Sequence, residues 1–194
     1  VKILKKPQTV KAALIGFPSH EDGGKCVSDI IASGIIPAGM EIMDKALIVA
    51  TDNFSKAGYP RDVELLLIVE LDGTVSEVEE LINKVSEISK KNNSSNIKIS
   101  QNEKERLSFW IGRKAAFPAC GAMSPDYYCM DGSIPRGKLA EALKEINKLS
   151  KKYNLSVANC FHAGDGNLHP LIMFDGSKKD ELRKTEEFGS EILK

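Results

Sequence analysis

The chain has 194 residues, with 27 Lys and Arg against 27 Asp and Glu and therefore no formal net charge; 42% of it is hydrophobic and 28% charged. Those proportions describe an ordinary globular protein of one large domain or two small ones, and balanced charge speaks against nucleic acid or an anionic membrane as partner, because both select a local excess of Lys and Arg. The longest apolar stretches, around Ile30–Ile36 and Leu65–Val69, fall well short of the roughly 20 residues that span a bilayer, and Val1 to Pro7 has no apolar run of signal-peptide length.

In chain order, Val1–Leu4 reads as a strand without a beginning and Ala12–Phe17 as the first full strand. Ser19 precedes Glu21 and Asp22, acids suited to the positive end of a helix dipole, and that helix should end near Gly34. The apolar period from about Glu41 to Asn53 predicts a second helix, after Pro37 and Gly39 and before Gly58-Tyr59-Pro60. Glu64–Leu71 is a strand, and Thr74-Val75-Ser76-Glu77 is a capping box that opens a helix to about Lys91. Asn96–Ser100 follows as a strand, then a similar box, Asn102 with Glu105, before a helix carrying Leu107, Trp110 and Arg113. Tyr127–Ile134 predicts a strand, and Pro135 the first turn of a helix from about Arg136 to Tyr153. Ser156–His162 and Leu168–Phe174 are strands, and Ser177 with Asp180 opens the last helix, Lys178–Lys194.

Strand, helix, strand thus occurs twice, over Glu64–Ser100 and Tyr127–His162. This predicts an α+β protein, a ferredoxin-like antiparallel sheet covered by helices on one face, with another α/β sandwich as the alternative. The last helix reaches the final residue with neither Gly nor Pro to stop it, so both ends look cut and the expectation is a piece of something longer. The four cysteines (Cys26, Cys120, Cys129, Cys160) form no Cys-x-x-Cys pair, which speaks against a zinc ribbon or thioredoxin-type site. They read as reduced packing residues, and the compartment as reducing.

The densest chemistry is Cys160-Phe161-His162-Ala163-Gly164-Asp165-Gly166-Asn167-Leu168-His169-Pro170, which holds two of the three histidines. Gly164-Asp165-Gly166-Asn167 is turn chemistry, so the run predicts a hairpin whose two strands share a sheet face. Two imidazoles there can meet one metal ion at about 2.0–2.1 Å each, and a third ligand must come from Asp165, from elsewhere in the chain or from outside it. The plainer alternative is a pair of structural histidines beside a turn. The glycines do not make a phosphate loop, because His169 fills the third glycine position of the fingerprint and a strand is predicted next.

Arg113 is the second candidate: Phe109, Trp110 and Phe117 stand at i−4, i−3 and i+4, and a guanidinium held among them suits a carboxylate. The alternative is a surface arginine lying over an apolar face. Tyr127-Tyr128-Cys129-Met130-Asp131-Gly132-Ser133 is the third, with hydroxyls for a polar pocket or aromatic rings for the core.

The run Phe161–Pro170 resembles the signature of the C-terminal domain of FAD-linked oxidases, the D-lactate and D-2-hydroxyacid dehydrogenases of the vanillyl-alcohol-oxidase superfamily. Phe109–Pro118 and Ser124–Arg136 resemble its glycolate-oxidising branch, the FAD-binding catalytic subunit of bacterial glycolate oxidase, and the likeness runs through Gly16-Phe17-Pro18 and Ala57-Gly58-Tyr59-Pro60. The resemblance implies the substrate or cap domain of an FAD-dependent 2-hydroxyacid dehydrogenase that oxidises glycolate or D-lactate. It implies that His162 and His169 bind a divalent metal (Zn, Fe or Mn) beside the flavin, with a histidine able to accept the substrate proton. The same resemblance implies that Asn167 contacts substrate and cofactor and that Arg113 grips the substrate carboxylate. Where some relatives place a lysine two residues before the Asp of the middle motif, this sequence has Cys129. The FAD-binding domain, and the segment that supplies a glutamate ligand, are expected outside this chain. Expected partners are that FAD-binding domain, a second flavin subunit and an iron–sulfur subunit of a glycolate oxidase complex. The expected location is the cytoplasm, against the inner membrane through those subunits. A stand-alone ferredoxin-like module that binds a metabolite or metal is the competing function.

Overall fold

A computed structural model describes residues 6–194, so the strand expected at Val1–Leu4 lies outside the described residues. The elements in order are β1 (Thr9–Phe17), α1 (His20–Ala32), β2 (Gly39–Asp44), α2 (Lys45–Ser55), β3 (Leu65–Gly73), α3 (Val75–Lys91), β4 (Asn96–Ile99) and α4 (Glu103–Lys114). They continue with α5 (Ala116–Gly121), β5 (Asp126–Cys129), β6 (Gly132–Ser133), a 3-10 turn (Arg136–Lys138), α6 (Leu139–Tyr153), β7 (Val157–His162), β8 (Asn167–Phe174) and α7 (Lys179–Ile192). The strands form one eight-stranded antiparallel sheet in the order β4-β1-β3-β2-β7-β8-β5, with β6 also paired to β8.

Both expected strand–helix–strand units are present, each with another strand between its two. In β3-α3-β4 the intervening strand is β1, and in the unit from β5 through α6 to β7 it is β8. The first half, β4-β1-β3-β2, is a ferredoxin-like sheet with α2 inserted between β2 and β3. The second half, β7-β8-β5, repeats three strands of that plan. The halves join where β2 meets β7, through the pairs Glu41–His162, Ile42–Phe161 and Met43–Cys160.

Helices cover both faces, not one. Residues of α1, α3, α6 and α7, such as Val27, Ile82, Leu143 and Phe188, bury one face. Leu47 and Ile48 of α2, Phe109 of α4 and Ala116 and Cys120 of α5 bury the other. The reason lies in the strands. Leu65-Leu66-Leu67-Ile68-Val69 is apolar at every position, so a single helical layer would leave Leu66 and Ile68 in water.

Four further expectations are corrected. The segment from Glu41 to Asn53 is not one helix: Gly39–Asp44 is strand β2, and α2 starts only at Lys45. Asp44 sets the switch, because its Oδ1 caps α2 by accepting from Leu47 N (3.0 Å) while Oδ2 accepts from Asn159 N (2.9 Å) and Nδ2 (2.6 Å) on β7. Burial pushes this carboxyl up to about 6 against those hydrogen bonds. The strand Tyr127–Ile134 breaks at Met130-Asp131 into β5 and β6. The helix with Arg113 ends at Lys114, so Phe117 belongs to α5 and faces Tyr127 at 6.3 Å between ring centroids. Ser177 does not cap α7; its amide and hydroxyl close a turn on Asp175. The Thr74–Glu77 capping box forms as expected, and Asn102 caps α4 through Glu105 N. All four cysteines are free thiols, three buried and Cys129 exposed. Among the described residues no helix is long and apolar enough to cross a membrane.

Candidate active site

The site is built on the hairpin of β7 and β8. After His162 the chain reverses through Ala163–Gly166, with the amides of Asp165 (3.1 Å) and Gly166 (3.0 Å) both donating to the His162 carbonyl. Gly166 has φ +75°, and a Cβ there would lie 2.2 Å from the carbonyl oxygen of Ile134, so only glycine lets the chain before α6 pack against this turn. The register pairs His162 with Asn167 and Cys160 with His169. The two histidines are therefore diagonal neighbours on one face, the face covered by α2, α4 and α5, and not directly opposite one another. Their rings stand edge-to-face, 5.1 Å between centroids and 88° between planes.

Each imidazole is held through Nδ1. His162 Nδ1 lies 2.6 Å from Glu41 Oε1, and His169 Nδ1 lies 3.4 Å from the Met130 carbonyl and 3.8 Å from Asp131. That leaves Nε2 of each ring for a ligand, the arrangement in which metal-binding histidines are commonly oriented by a carboxylate or carbonyl behind them. Two imidazoles that meet one ion at about 2.1 Å have ring centres about 5 Å apart, in agreement with the spacing here. Among the described residues no three His, Cys, Asp or Glu side chains come together as a metal set. Asp165, the ligand weighed from sequence, is exposed on the turn. The pair fits part of a metal site.

Arg113 joins this cluster from the last turn of α4. Its Nε and Nη2 each lie 3.0 Å from Glu41 Oε2, with both side chains 12% exposed. The guanidinium is shielded and paired with a carboxylate, and does not lie over an apolar face as a surface arginine would. The aromatic cage expected around it is not there. Trp110 turns its Nε1 to Glu70 (2.6 Å), and Phe117 has left the helix. What fixes Arg113 is Tyr59. The buried Tyr59 hydroxyl donates to the Phe109 carbonyl (2.5 Å) and accepts from Arg113 N (3.0 Å), so it sits inside the rung that would otherwise join residues 109 and 113. The loop bearing Tyr59 is anchored by Asp52, whose Oδ1 accepts from Gly58 N (2.8 Å) and Tyr59 N (3.2 Å).

Asn167 contributes a side-chain Oδ1 that is buried with no hydrogen-bond partner, an acceptor without a donor. A cavity of about 440 Å³ opens beside His162, bordered by Glu41, Arg136, Gly164, Asp165 and the fully exposed Ile36. Tyr127 packs into the core on the helix-α5 side, and Tyr128 is 44% exposed, so neither joins the cluster. Sequence reasoning missed Glu41 and Tyr59. The signal for Glu41 was the alternation Met40-Glu41-Ile42, a strand period hidden inside an assumed helix.

Residues 6–194 match the family described as FAD linked oxidases, C-terminal domain. Over 193 residues the chain is 51% identical to the glycolate oxidase subunit GlcD of Escherichia coli (strain K12), covering 100% of this chain and 39% of that protein. It is 34% identical to GlcD of Bacillus subtilis (strain 168), covering 100% of this chain and 41% of that protein. A solved structure of alkyldihydroxyacetonephosphate synthase shares the fold, with TM-score 0.69 at 12% identity over 97% of this chain and 40% of that one. The chain thus spans about two fifths of the length of these curated relatives.

Proposed function

The chain belongs to the C-terminal domain family of FAD-linked oxidases, and from that membership we propose that it is the substrate-binding domain of an FAD-dependent 2-hydroxyacid oxidoreductase. Its proposed substrate is glycolate, with D-lactate the alternative of the same chemistry. The observation that carries this reading is the cluster Arg113–Glu41–His162–His169. It brings a cation for the carboxylate and two imidazole nitrogens for the hydroxyl onto one face of the sheet.

Each residue has a defined task. Arg113 binds the substrate carboxylate through the end of its guanidinium, a charge-assisted contact with fixed direction. Asn167, whose Oδ1 lacks a donor, receives one from the substrate or from the flavin edge. His162 and His169 would hold a divalent metal (Zn, Fe or Mn) through Nε2, completed by a ligand from beyond the described residues. An imidazole Nε2 not engaged in that way takes the hydroxyl proton. When bound, FAD supplies the hydride acceptor and the metal a Lewis acid for the hydroxyl oxygen. The turn at Gly164–Asn167 leads into strand β8 and not into a helix, so it lacks the helix N-terminus that binds a pyrophosphate. In this reading the dinucleotide is held by a separate FAD-binding domain of the whole protein.

The relatives are named as subunits of glycolate oxidase, which supports partner subunits, here a second flavin subunit and an iron–sulfur subunit. A cytoplasmic enzyme docked on the inner membrane through them is the location we favour. The test is glycolate-dependent bleaching of the flavin in the full-length protein. Bleaching that is slowed in Arg113→Lys and in His162→Ala supports the reading. A full-length protein that binds no flavin, or whose flavin no 2-hydroxyacid reduces, overturns it in favour of a binding module.

A further inference from the structure

A single carboxylate stands between the two kinds of functional group in the site. Glu41 lies on β2 directly across the seam from His162, with Oε1 2.6 Å from His162 Nδ1 and Oε2 3.0 Å from both Nε and Nη2 of Arg113. We infer that Glu41 is a positioning residue for 2-hydroxyacid oxidation, one oxygen setting the tautomer of His162 and the other setting the aim of Arg113. The inference rests on the functional reading above.

The hydrogen-bonding inventory carries it. An ionised carboxylate only accepts, so the imidazole nitrogen that faces Oε1 must bear the hydrogen. The neutral form of His162 is thereby held with Nδ1 bearing the hydrogen and the Nε2 lone pair available, the form that can bind an ion or take a proton. Arg113 is constrained in the same way. Its side edge, Nε with one hydrogen of Nη2, is engaged by Oε2. Its end, Nη1 with the second hydrogen of Nη2, makes no hydrogen bond among the described residues and is the edge left for a substrate carboxylate. Glu41 is only 12% exposed and both its oxygens are engaged, so it acts through its neighbours and not on the substrate.

The test uses Glu41→Gln and Glu41→Asp beside His162→Ala and Arg113→Lys. Gln keeps the length of Glu but has one acceptor and one donor. The arginine cation takes the amide oxygen, so the NH2 group is left facing His162 Nδ1 and the imidazole must move its hydrogen to Nε2. Nitrogen NMR on histidine-labelled chain, which distinguishes the two neutral tautomers, reads this without metal or substrate. The expected result is Nδ1–H for His162 in the wild type and Nε2–H in Glu41→Gln. In the full-length flavoenzyme kcat/KM for glycolate should fall about 10–100-fold in Glu41→Gln, the range for disturbed outer-shell partners, with Glu41→Asp recovering part of the loss. An Nδ1–H tautomer in Glu41→Gln overturns the inference. So does a kcat/KM within about twofold of wild type, less than 1 kcal/mol at about 1.4 kcal/mol per tenfold. If His162→Ala and Arg113→Lys both lower turnover and Glu41→Gln does not, the inference alone fails. If neither lowers turnover, the functional reading fails and takes the inference with it.

Discussion

Gly112→Ala adds one methyl group at the point where α4 crosses Tyr59. A Cβ on Gly112 would lie 2.3 Å from Tyr59 Cε2, 2.6 Å from Cζ and 2.7 Å from the hydroxyl oxygen. The ring would have to retreat by about 1 Å to reach ordinary contact, a displacement that a well-packed interior resists. It has nowhere to go: Tyr59 is 4% exposed and its backbone amide is held by Asp52. Any retreat breaks the hydroxyl's bonds to the Phe109 carbonyl and the Arg113 amide. Two hydrogen bonds at about 0.5–1.5 kcal/mol each, with overpacking of about 1–3 kcal/mol, oppose a gain of about 1 kcal/mol from replacing glycine in a helix. The net expectation is a loss of about 3 kcal/mol in urea unfolding, seen as a lower midpoint at unchanged slope. Because Arg113 follows directly, KM for glycolate in the full-length enzyme should rise as well. Tyr59→Phe removes only the hydroxyl and should cost about 1–2 kcal/mol. An alanine variant as stable as the wild type, or more so, would show that helix propensity outweighs the wedge and would refute the account of how Arg113 is placed.

Arg113→Lys in the full-length enzyme should lower kcat/KM for glycolate by about 10–150-fold, equivalent to about 1.5–3 kcal/mol, because lysine lacks the planar fork. Steady-state kinetics beside a melting curve separate this from lost packing. His169→Ala should reduce turnover and metal content by about 10–100-fold, checked by elemental analysis of the dialysed protein. Burial works to raise the Asp52 carboxyl, yet the Arg61 guanidinium and the Gly58 and Tyr59 amides hold it below the ordinary carboxylate range. A depressed folded value places this stabilisation above the unfolded value of about 4 and removes it as pH falls through the folded one. Urea midpoints of wild type and Asp52→Asn should therefore separate near neutrality and converge in acid. Thr74→Ala removes the capping box of α3 and should cost about 1 kcal/mol by thermal unfolding.

What was legible in the sequence was what local chemistry alone decides. The capping box at Thr74, the stop at Gly34 and the turn at Gly164–Asn167 each depend on a few adjacent residues, and each forms as expected. Strand β2 was not legible, because Glu41 to Asn53 contains enough apolar residues to satisfy a helical period throughout. The decision falls to Asp44, whose hydrogen bonds to Asn159 come from a strand more than a hundred residues away. The second helical layer was hidden for a similar reason. A continuous apolar run such as Leu65–Val69 says that both faces are buried, but not which segment supplies the second cover. Of the site, the histidine run and Arg113 were visible as residue types. The carboxylate that joins them was not, since no spacing in the chain relates position 41 to 113 or 162.

That separation in sequence also says how the site must assemble. Glu41 ends on the edge strand of the first ferredoxin-like half, and His162 on the edge strand of the second. Arg113 comes from α4, which packs on the first half against β1 and on α2. Neither half by itself contains a carboxylate–imidazole–guanidinium set; pairing β2 with β7 creates it. The seam is short, three residue pairs, and the site pair Glu41–His162 is one of its two end rungs. Outer rungs of a sheet open more readily than inner ones, since fewer neighbours must be disrupted with them. The central pair Ile42–Phe161 and the far end pair Met43–Cys160 are buried on opposite faces and hold the halves together. Weakening the central pair should therefore disturb the site at a distance. Phe161→Leu, which leaves every site residue intact, should cost about 1 kcal/mol or more in stability and also loosen the Glu41–His162 contact, read as faster amide exchange at the seam. Unchanged exchange at residues 41 and 162 in a destabilised Phe161→Leu protein would show that the site is held by its own hydrogen bonds and not by the packing of the two halves.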